Sequence, residues 1–268
     1  MGVPASHHTF VDGRRLCWRE VGEGPALLFI HGMGGDSRNW ETQYRHFSSD
    51  HRVIGWDAPG YGDSDDWHTD EPTVRDYVKE IGALLDALEI EEAHLVGHSF
   101  GGVLVSAFKK ASSERVLSMV LAQPVIGSGQ LGQENRIKIV SAREKLLADL
   151  GVQEYAKRHV RRSVAAGAGA AVVRKGIEVT CWIRQRGYLA QWRAMARANI
   201  FNEIPSEPGT TTVVAGNGDR TASREVVSRI AAAISGARLV ELPDVGHMIY
   251  LEYPERFNAV LAEHISRT

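Results

Sequence analysis

The chain has few cysteines and no long apolar run, and both absences exclude whole classes of protein. Its only two cysteines are Cys17 and Cys181, which are too few for a disulfide framework. Neither has a second Cys or a His at metal-ligand spacing, so the sequence predicts no metal site. No apolar stretch approaches the roughly 18 residues that span a bilayer, and the first residues lack the features of a secretion signal. These absences predict a cytoplasmic protein in a reducing compartment, with no membrane partner.

The chain also lacks an excess of either charge. Its formal net charge is −2, which argues against general nucleic-acid binding. Hydrophobic residues make up 43 % and charged residues 24 % of the sequence, the proportions of an ordinary globular protein. The length of 268 residues fits one large domain, or a domain that carries an insertion.

Short apolar runs alternate with amphipathic stretches over much of the chain. Residues 9–22 predict an opening β-hairpin that turns at Asp12-Gly13. Buried strands are predicted at residues 26–32, 52–60, 93–99, 116–124, 210–219 and 237–247, and amphipathic helices at 73–88, 100–111, 223–234 and 254–265. This alternation favours an α/β fold with a mostly parallel central sheet flanked by helices.

Residues 124–205 break the alternation, because they contain helical patterns and no convincing strand. We therefore predict a core domain of residues 1–123 and 206–268, with a helical cap, residues 124–205, inserted after the sixth strand. The cap has 14 Lys and Arg against 6 Asp and Glu, a net charge of +8, which leaves −10 on the core. A basic cap over an acidic body could draw an anionic substrate into a cleft. Alternatively, these side chains only solvate exposed helix faces.

The stretch GHSFG, residues 97–101, matches the G-x-S-x-G pattern of a nucleophile elbow. It follows a predicted strand and precedes a predicted helix, and its glycines relieve crowding where the chain reverses. Ser99 would then project from the turn, and the Phe100 N–H would be free at the positive end of the helix. An ordinary strand-to-helix turn has the same pattern, so the motif needs support from elsewhere in the chain.

A glycine-rich loop, HGMGG at residues 31–35, follows the first buried strand. Glycines allow the backbone to approach a bound atom closely. The Met33 N–H could therefore pair with that of Phe100 and stabilise an oxyanion. The alternative is a generic glycine turn.

An acid and a base follow later strands. Asp219 lies at a strand end, where active-site groups collect in open α/β sheets, although it could also be a turn carboxylate. Gln123, at the end of the preceding strand, cannot serve as the acid. His247 ends a strand beside a glycine, downstream of both Ser99 and Asp219, whereas His98 is interpreted as a packed or hydrogen-bonded neighbour of the nucleophile.

The chain order Ser99, Asp219, His247 is that of the α/β-hydrolase fold, and the chain resembles this family nearly from end to end. HGMGG resembles the family's HGxG loop, DAPGYGDSD at residues 57–65 its D-x-x-G-x-G-x-S stretch, and the helical insertion its cap domain. The resemblance implies that Asp219 orients His247, which removes the proton of Ser99. It also implies an oxyanion hole made by the Met33 and Phe100 N–H groups, and no metal or organic cofactor.

The resemblance also narrows the range of possible substrates. Haloalkane dehalogenases and epoxide hydrolases of this fold use an aspartate at the elbow, so the serine excludes them. Residues 187–205 resemble the end of the cap in enol-lactonases, which take carboxylate-bearing lactones. We therefore predict a serine hydrolase that cleaves an ester or lactone bond of a small molecule. Carbon–carbon hydrolases of ring-cleavage products, or a hydrolase-like receptor, are the alternatives.

Several cap residues are candidate substrate contacts. Arginines could hold a carboxylate with two hydrogen bonds, and tryptophans could line the pocket or belong to the core. The candidates are Trp182, Arg186, Trp192, Arg193 and Met248, with Arg184 and Arg197 as further cap arginines. Met248 occupies a position that is often aromatic in carbon–carbon hydrolases. The oligomeric state is left open between monomer and homodimer.

Overall fold

The computed structural model describes residues 2–207 and 209–268, and an eight-stranded sheet lies at its centre. Residues 1 and 208, which the predicted core domain includes, lie outside the described residues. The strands are β1 (Ser6–Val11), β2 (Arg14–Val21), β3 (Ala26–Ile30), β4 (Arg52–Asp57), β5 (Ala93–His98), β6 (Val116–Ala122), β7 (Thr211–Gly216) and β8 (Arg238–Leu242). Their order across the sheet is β1-β2-β4-β3-β5-β6-β7-β8. Strand β2 pairs antiparallel with β1 and β4, and all other neighbours are parallel, which confirms the predicted mostly parallel sheet.

The predicted hairpin opens the sheet, with Val11 paired to Arg14 across a two-residue turn. The turn residues Asp12 and Gly13 have φ values of 50° and 75°. Positive φ at both central residues matches the twist of a hairpin, and Asp-Gly is a pair that tolerates it. The local sequence therefore determines this turn.

In the described ranges, ten α-helices flank the sheet or join its strands. They are α1 (Glu41–Phe47), α2 (Val74–Ala87), α3 (Phe100–Ala111), α4 (Gln133–Ser163), α5 (Ala170–Thr180), α6 (Gln185–Arg197), α7 (Ile200–Glu203), α8 (Arg224–Ala233), α9 (Ile249–Glu252) and α10 (Pro254–Ile265), with 3-10 turns at Ser37–Trp40 and Ser113–Arg115. A capping box starts α2, because the Thr73 N–H donates to the Asp76 carboxylate at 2.8 Å. Within the described ranges, no helix combines the length and the apolar character needed to cross a membrane.

Both faces of the central strands are buried, and this divides the core into two apolar layers. Leu28 and Ile30 of β3 belong to one layer, whereas Leu27 and Phe29 belong to the other. Side chains alternate between the faces of a strand, so a strand covered on both sides is apolar throughout. This is why the buried strands read as continuous apolar runs in the sequence.

The chain between β6 and β7 contains helices α4 to α7 and, in its described part, no strand. This confirms the predicted helical insertion after the sixth strand, while its limits as a separate domain stay a prediction. Helix α4 is kinked at Gly151, where φ is +67°. The insertion docks on the loop after β4, where the Arg184 Nε–H donates to the Gly60 carbonyl at 3.1 Å. At that contact Gly60 and Gly187 approach so closely that neither has room for a side chain.

Candidate active site

Ser99 connects β5 to α3 with a backbone conformation that non-glycine residues rarely adopt, φ 55° and ψ −118°. Such strain persists only where the surrounding structure enforces it, commonly at functional sites. The flanking glycines are required by packing, because a Cβ at Gly97 would collide with the Gly101 carbonyl, and one at Gly101 with the Ile30 carbonyl. The sharp turn that the sequence predicts is therefore present, with a serine at its apex.

The sheet brings Ser99, Asp219 and His247 together from the ends of three parallel strands. His247 Nε2 lies 2.9 Å from Ser99 Oγ, and His247 Nδ1 lies 2.7 Å from Asp219 Oδ2. All three residues are buried. Asp219 Oδ1 also accepts the N–H groups of Thr221 at 2.6 Å and Ala222 at 3.0 Å. The geometry of Asp219 is therefore compatible with both interpretations, since one oxygen accepts hydrogen bonds in its own turn and the other faces the imidazole.

The backbone of His247 is held from two directions. Its N–H donates to the Ser163 carbonyl, at the end of α4, with a distance of 2.6 Å. Its carbonyl accepts the Nε2–H of His98 at 2.7 Å. The Gln123 side-chain amide donates to the carbonyl of Gly246. The expectation that His98 is a hydrogen-bonded neighbour is met. Sequence reasoning missed Ser163, because only its backbone makes the contact.

The glycine-rich loop after β3 packs directly against the elbow. A Cβ at Gly32 would lie only 2.8 Å from the Ser99 Cβ, so the backbone can come this close only at a glycine. His31 anchors the loop, because its Nδ1–H donates to the Gly32 carbonyl and its Nε2 accepts the Ala58 N–H at 3.1 Å. Burial lowers the pKa of His31, which suits a ring that must keep an acceptor nitrogen.

Two backbone donors of the predicted oxyanion hole remain free in the described part of the chain. Phe100 is the first residue of α3, so its N–H has no partner within the helix. The Met33 N–H likewise donates to no acceptor among the described residues. Met33 and Ser99 both line one cavity, which places the loop and the nucleophile on the same side of the elbow.

A cavity of about 440 Å³ lies between the sheet ends and the helical insertion. The core contributes Ser99 and His247 to its lining, and the insertion contributes an apolar wall. That wall includes Val125, Ile126, Ile139, Trp192 and Met195. A concave, mostly apolar site with a few convergent polar groups is the usual form of a small-molecule site.

A second imidazole also lines this cavity. His159 of α4 is half-buried and stacks on the ring of Tyr155, with 5.7 Å between ring centroids. Burial, followed by the proximity of His247, lowers the pKa of His159 to about 4. The ring is therefore neutral near pH 7 and offers a hydrogen bond without a charge. Sequence reasoning did not identify His159, which lies inside a helix with no motif around it.

Three arginines line the cavity, and none of them was predicted. They are Arg143 and Arg162 of α4 and Arg220, which follows Asp219. The Arg143 guanidinium carbon lies 4.7 Å from the centre of the Trp192 ring. The Arg220 guanidinium donates to backbone carbonyls at the end of α4, including Val164 at 3.3 Å. Sequence reasoning placed the substrate arginines on α6 instead.

Of the five residues predicted to contact substrate, four of them in the cap, Trp192 lines the cavity and the other four do not. Arg186 pairs with Asp70 at 2.9 Å and Arg193 with Glu71 at 3.5 Å, on the outer side of α6. Trp182 lies beneath the guanidinium of Arg38, and Met248 is buried beside Gly176. The basic face of α6 therefore docks on acidic residues of the core. Among residues 2–207 and 209–268, no group of three or more His, Cys, Asp or Glu side chains is arranged to hold a metal ion.

Comparison with known proteins agrees with this geometry. A model of the "Alpha/beta hydrolase family" matches residues 27–260. The chain is 27 % identical over 267 residues to the 2-hydroxy-6-oxo-6-phenylhexa-2,4-dienoate hydrolase of Comamonas testosteroni, covering 92 % of this chain and 90 % of that protein. It is 26 % identical over 234 residues to 3-oxoadipate enol-lactonase 1 of Acinetobacter baylyi, covering 87 % and 85 %.

The fold is also shared with solved structures. The enol-lactonase from Burkholderia xenovorans LB400 superposes with a TM-score of 0.83 at 23 % identity, covering 97 % of this chain and all of that one. A likeness at this identity concerns the fold alone. The family match, in contrast, runs from β3 to α10 and includes the elbow and the strand ends that carry Asp219 and His247. The chain therefore belongs to the alpha/beta hydrolase family and is a hydrolase.

Proposed function

We propose that this hydrolase cleaves an ester or lactone bond in a small, carboxylate-bearing molecule. Ser99 is the nucleophile, His247 the general base, and Asp219 the residue that orients His247. The observation that carries the proposal is the continuous hydrogen-bonded line from Asp219 Oδ2 through the imidazole to Ser99 Oγ, with distances of 2.7 and 2.9 Å. It ends at a hydroxyl that lines the cavity.

The hydrogen bonds determine the direction of proton transfer. The Asp219 carboxylate accepts the Nδ1–H of His247, so Nε2 carries the lone pair and can accept the Ser99 proton. As that proton leaves, Oγ forms a bond to the substrate carbonyl carbon, and the carbonyl electrons move to oxygen. The protonated His247 then gives its proton to the departing alcohol oxygen, which leaves an acyl-enzyme. Water then attacks the acyl-enzyme by the same steps, with His247 as the base. This releases the carboxylic acid and restores the Ser99 hydroxyl.

The negative charge that develops on the carbonyl oxygen needs donors that are already in place. The free N–H of Phe100, at the positive end of α3, supplies one. The Met33 N–H supplies the second, because the close approach of Gly32 to Ser99 brings the loop beside the nucleophile. Fixed donors in a partly dry site stabilise such a charge without reorganisation, typically by about 3 kcal/mol for one donor.

The cavity supports the preference for a small anionic substrate. Its volume of about 440 Å³ fits a molecule of modest size. Arg143 and Arg162 add positive charge to the same lining. Two relatives are named for a dienoate and for 3-oxoadipate, and both names denote carboxylates. These points favour a substrate whose carboxylate faces the arginines while its scissile carbonyl faces Ser99.

A second candidate function is hydrolysis of a carbon–carbon bond in a ring-cleavage product. The likeness to the Comamonas testosteroni dienoate hydrolase favours it. Such a reaction must place a proton on carbon before the bond breaks. His159 and His247 are two imidazoles in the cavity lining that could relay that proton. The same arginines would hold the substrate carboxylate.

A substrate panel tests both functions. It should contain p-nitrophenyl esters, lactones and carboxylate-bearing vinylogous 1,5-diketones, assayed with wild type, Ser99→Ala and Ser128→Ala. Ser128 also lines the cavity and serves as the matched control. We expect ester or lactone turnover that falls at least about a thousandfold in Ser99→Ala and little in Ser128→Ala. Retained turnover in Ser99→Ala would contradict the nucleophile, and turnover of diketones alone would establish the second candidate.

A further inference from the structure

Glu252, the last residue of α9, is a buried carboxylate that the reaction above does not use. Only 8 % of its surface is exposed, and no Lys or Arg in the described part of the chain pairs with it. It accepts three backbone N–H groups instead. Oε2 accepts those of Ala165 at 2.8 Å and Gly246 at 3.0 Å, and Oε1 accepts that of Met248 at 3.1 Å. Two of these donors are the residues directly before and after His247.

The third donor, Ala165, belongs to the insertion, two residues beyond the end of α4. The same turn of chain contacts His247 itself, through the Ser163 carbonyl. The two backbones are so close that a Cβ at Gly246 would collide with the Ala165 nitrogen. One carboxylate therefore joins the end of α4 to both sides of the histidine.

The loop that carries His247 has little other support from regular structure. Strand β8 ends at Leu242 and α9 begins at Ile249, so residues 243–248 belong to neither a strand nor a helix. Their N–H groups need acceptors other than a strand ladder. A carboxylate provides acceptors only, so its two oxygens can serve all three donors at once.

We propose that Glu252 is a positioning residue, which aligns the His247 imidazole with Ser99 by joining both sides of the histidine to the chain at the end of α4. The inference rests on the proposed function, in which His247 is the general base. Displacing a catalytic group by about 1 Å can cost about a hundredfold in rate. Loss of the Glu252 contacts would therefore slow the chemical steps. It would leave substrate binding largely intact, because Glu252 is absent from the cavity lining.

The substitution Glu252→Gln keeps the size of the side chain and breaks one of its three contacts. The amide oxygen can replace Oε2 and keep the Ala165 and Gly246 contacts. The amide NH₂ then faces the Met248 N–H, and two donors oppose each other on the far side of His247. Glu255→Gln is the matched control, because Glu255 is exposed in the first turn of α10.

The experiment measures kcat and KM for p-nitrophenyl acetate in wild type, Glu252→Gln, Glu255→Gln and Ser99→Ala. Rates of the three proteins that retain Ser99 are normalised to sites titrated with a p-nitrophenyl phosphonate, so that unfolded molecules do not count. Ser99→Ala has no hydroxyl to titrate, so its rate is normalised to protein concentration. We expect kcat per site to fall at least about tenfold in Glu252→Gln, with KM within about twofold of wild type and Glu255→Gln unchanged.

Two outcomes would overturn the inference: an unchanged kcat per site, even if fewer sites titrate, or a change confined to KM. The Ser99→Ala arm separates this failure from that of the proposed function. If Ser99→Ala is active, the proposed nucleophile is wrong. If it is inactive while Glu252→Gln matches wild type, the positioning role alone is wrong.

Discussion

The Nε2–H of His98 donates a hydrogen bond to the backbone carbonyl of His247 at 2.7 Å. His98 directly precedes Ser99, so two contacts join the elbow to the histidine loop. One is this hydrogen bond, and the other is the contact between the Ser99 hydroxyl and the His247 imidazole. Burial, followed by the proximity of His247, lowers the pKa of His98 to about 3. The ring is therefore uncharged near pH 7. It holds the loop without opposing the positive charge that His247 acquires during the proposed reaction.

The substitution Asp219→Asn should lower kcat at least about a hundredfold while the fold stays intact. The amide oxygen will take the place of Oδ1, which accepts the Thr221 and Ala222 N–H groups. The NH₂ group then faces His247 Nδ1 and favours the tautomer whose proton is on Nε2. That nitrogen faces Ser99 and can no longer accept its proton. Steady-state kinetics and the melting temperature measure the two effects.

The matched control for this prediction is Asp244→Asn, in the same histidine loop. Asp244 is exposed and has φ 60°, a conformation that asparagine tolerates. We expect its kcat to stay within about twofold of wild type. A near-wild-type rate in Asp219→Asn would place the acid elsewhere.

The cavity arginines should discriminate between charged and neutral substrates. We expect Arg143→Gln to raise KM about tenfold for mono-4-nitrophenyl glutarate and to change it little for p-nitrophenyl butyrate, because only the former carries a carboxylate. Added salt should likewise weaken kcat/KM for the anionic ester more than for the neutral one.

Arg186→Gln provides the control, since Arg186 pairs with Asp70 outside the cavity lining. It should leave the KM values of both esters unchanged. If Arg186→Gln rather than Arg143→Gln impaired the anionic ester, the charges on α6 would be the substrate contacts, as the sequence predicted.

The sequence was sufficient to predict the sheet and the placement of Ser99, Asp219 and His247. Each follows a predicted strand, and parallel strands end at one edge of the sheet. Local chemistry also determined the Asp12-Gly13 turn and the capping box at Thr73. These features depend on residues close together in the chain, so their signals are visible in short windows of sequence.

The cavity lining could not be predicted in the same way. The sequence shows that the insertion is helical and basic, but the direction of each helix face depends on tertiary packing. Arg186 and Arg193 face the acidic loop of the core, whereas Arg143 and Arg162 face the cavity. Some arginines of the insertion therefore line the cavity, whereas others pair with the core. The residue types alone do not distinguish these two groups. Glu252 was not identified either, since its three partners are backbone N–H groups, which carry no signal in the residue types, and one of them, Ala165, is distant in sequence.

Substitution by alanine should change the stability of the fold in opposite directions at two helical glycines. Gly187→Ala places a Cβ against the Gly60 backbone, where α6 docks on the loop after β4. We expect it to destabilise the fold by about 1–3 kcal/mol. Gly82→Ala, inside α2, meets only the Phe108 ring at an ordinary 3.7 Å. It should be neutral or stabilising by up to about 1 kcal/mol. Urea unfolding of both variants provides the test, and equal stabilities would contradict the close contact.

A series of buried polar side chains at the opposite end of the sheet joins α10 to three strands. His264 Nδ1 lies 2.8 Å from Thr212 Oγ1, and His264 Nε2 lies 2.8 Å from Ser118 Oγ. The same Ser118 hydroxyl lies 2.8 Å from His94 Nδ1. Burial is the main cause that lowers the pKa of His264 to about 4, and it also lowers the pKa of His94. The folded protein therefore favours the neutral form of both rings.

Because the fold favours neutral His264 and His94, we predict that the protein loses stability in mild acid. Below the ordinary histidine pKa of about 6.5 the unfolded chain binds more protons than the folded one. The contribution of His264 to the free energy of unfolding is complete above that pH. It falls by on the order of 2 kcal/mol as the pH drops towards 4. Urea unfolding between pH 7.5 and 4.5 should show this decline in wild type and a shallower one in His264→Gln. His8→Gln, in the exposed part of β1, should keep the wild-type slope. An identical slope in His264→Gln would mean that His264 is not the group that titrates, since removing it must remove its share of the proton uptake.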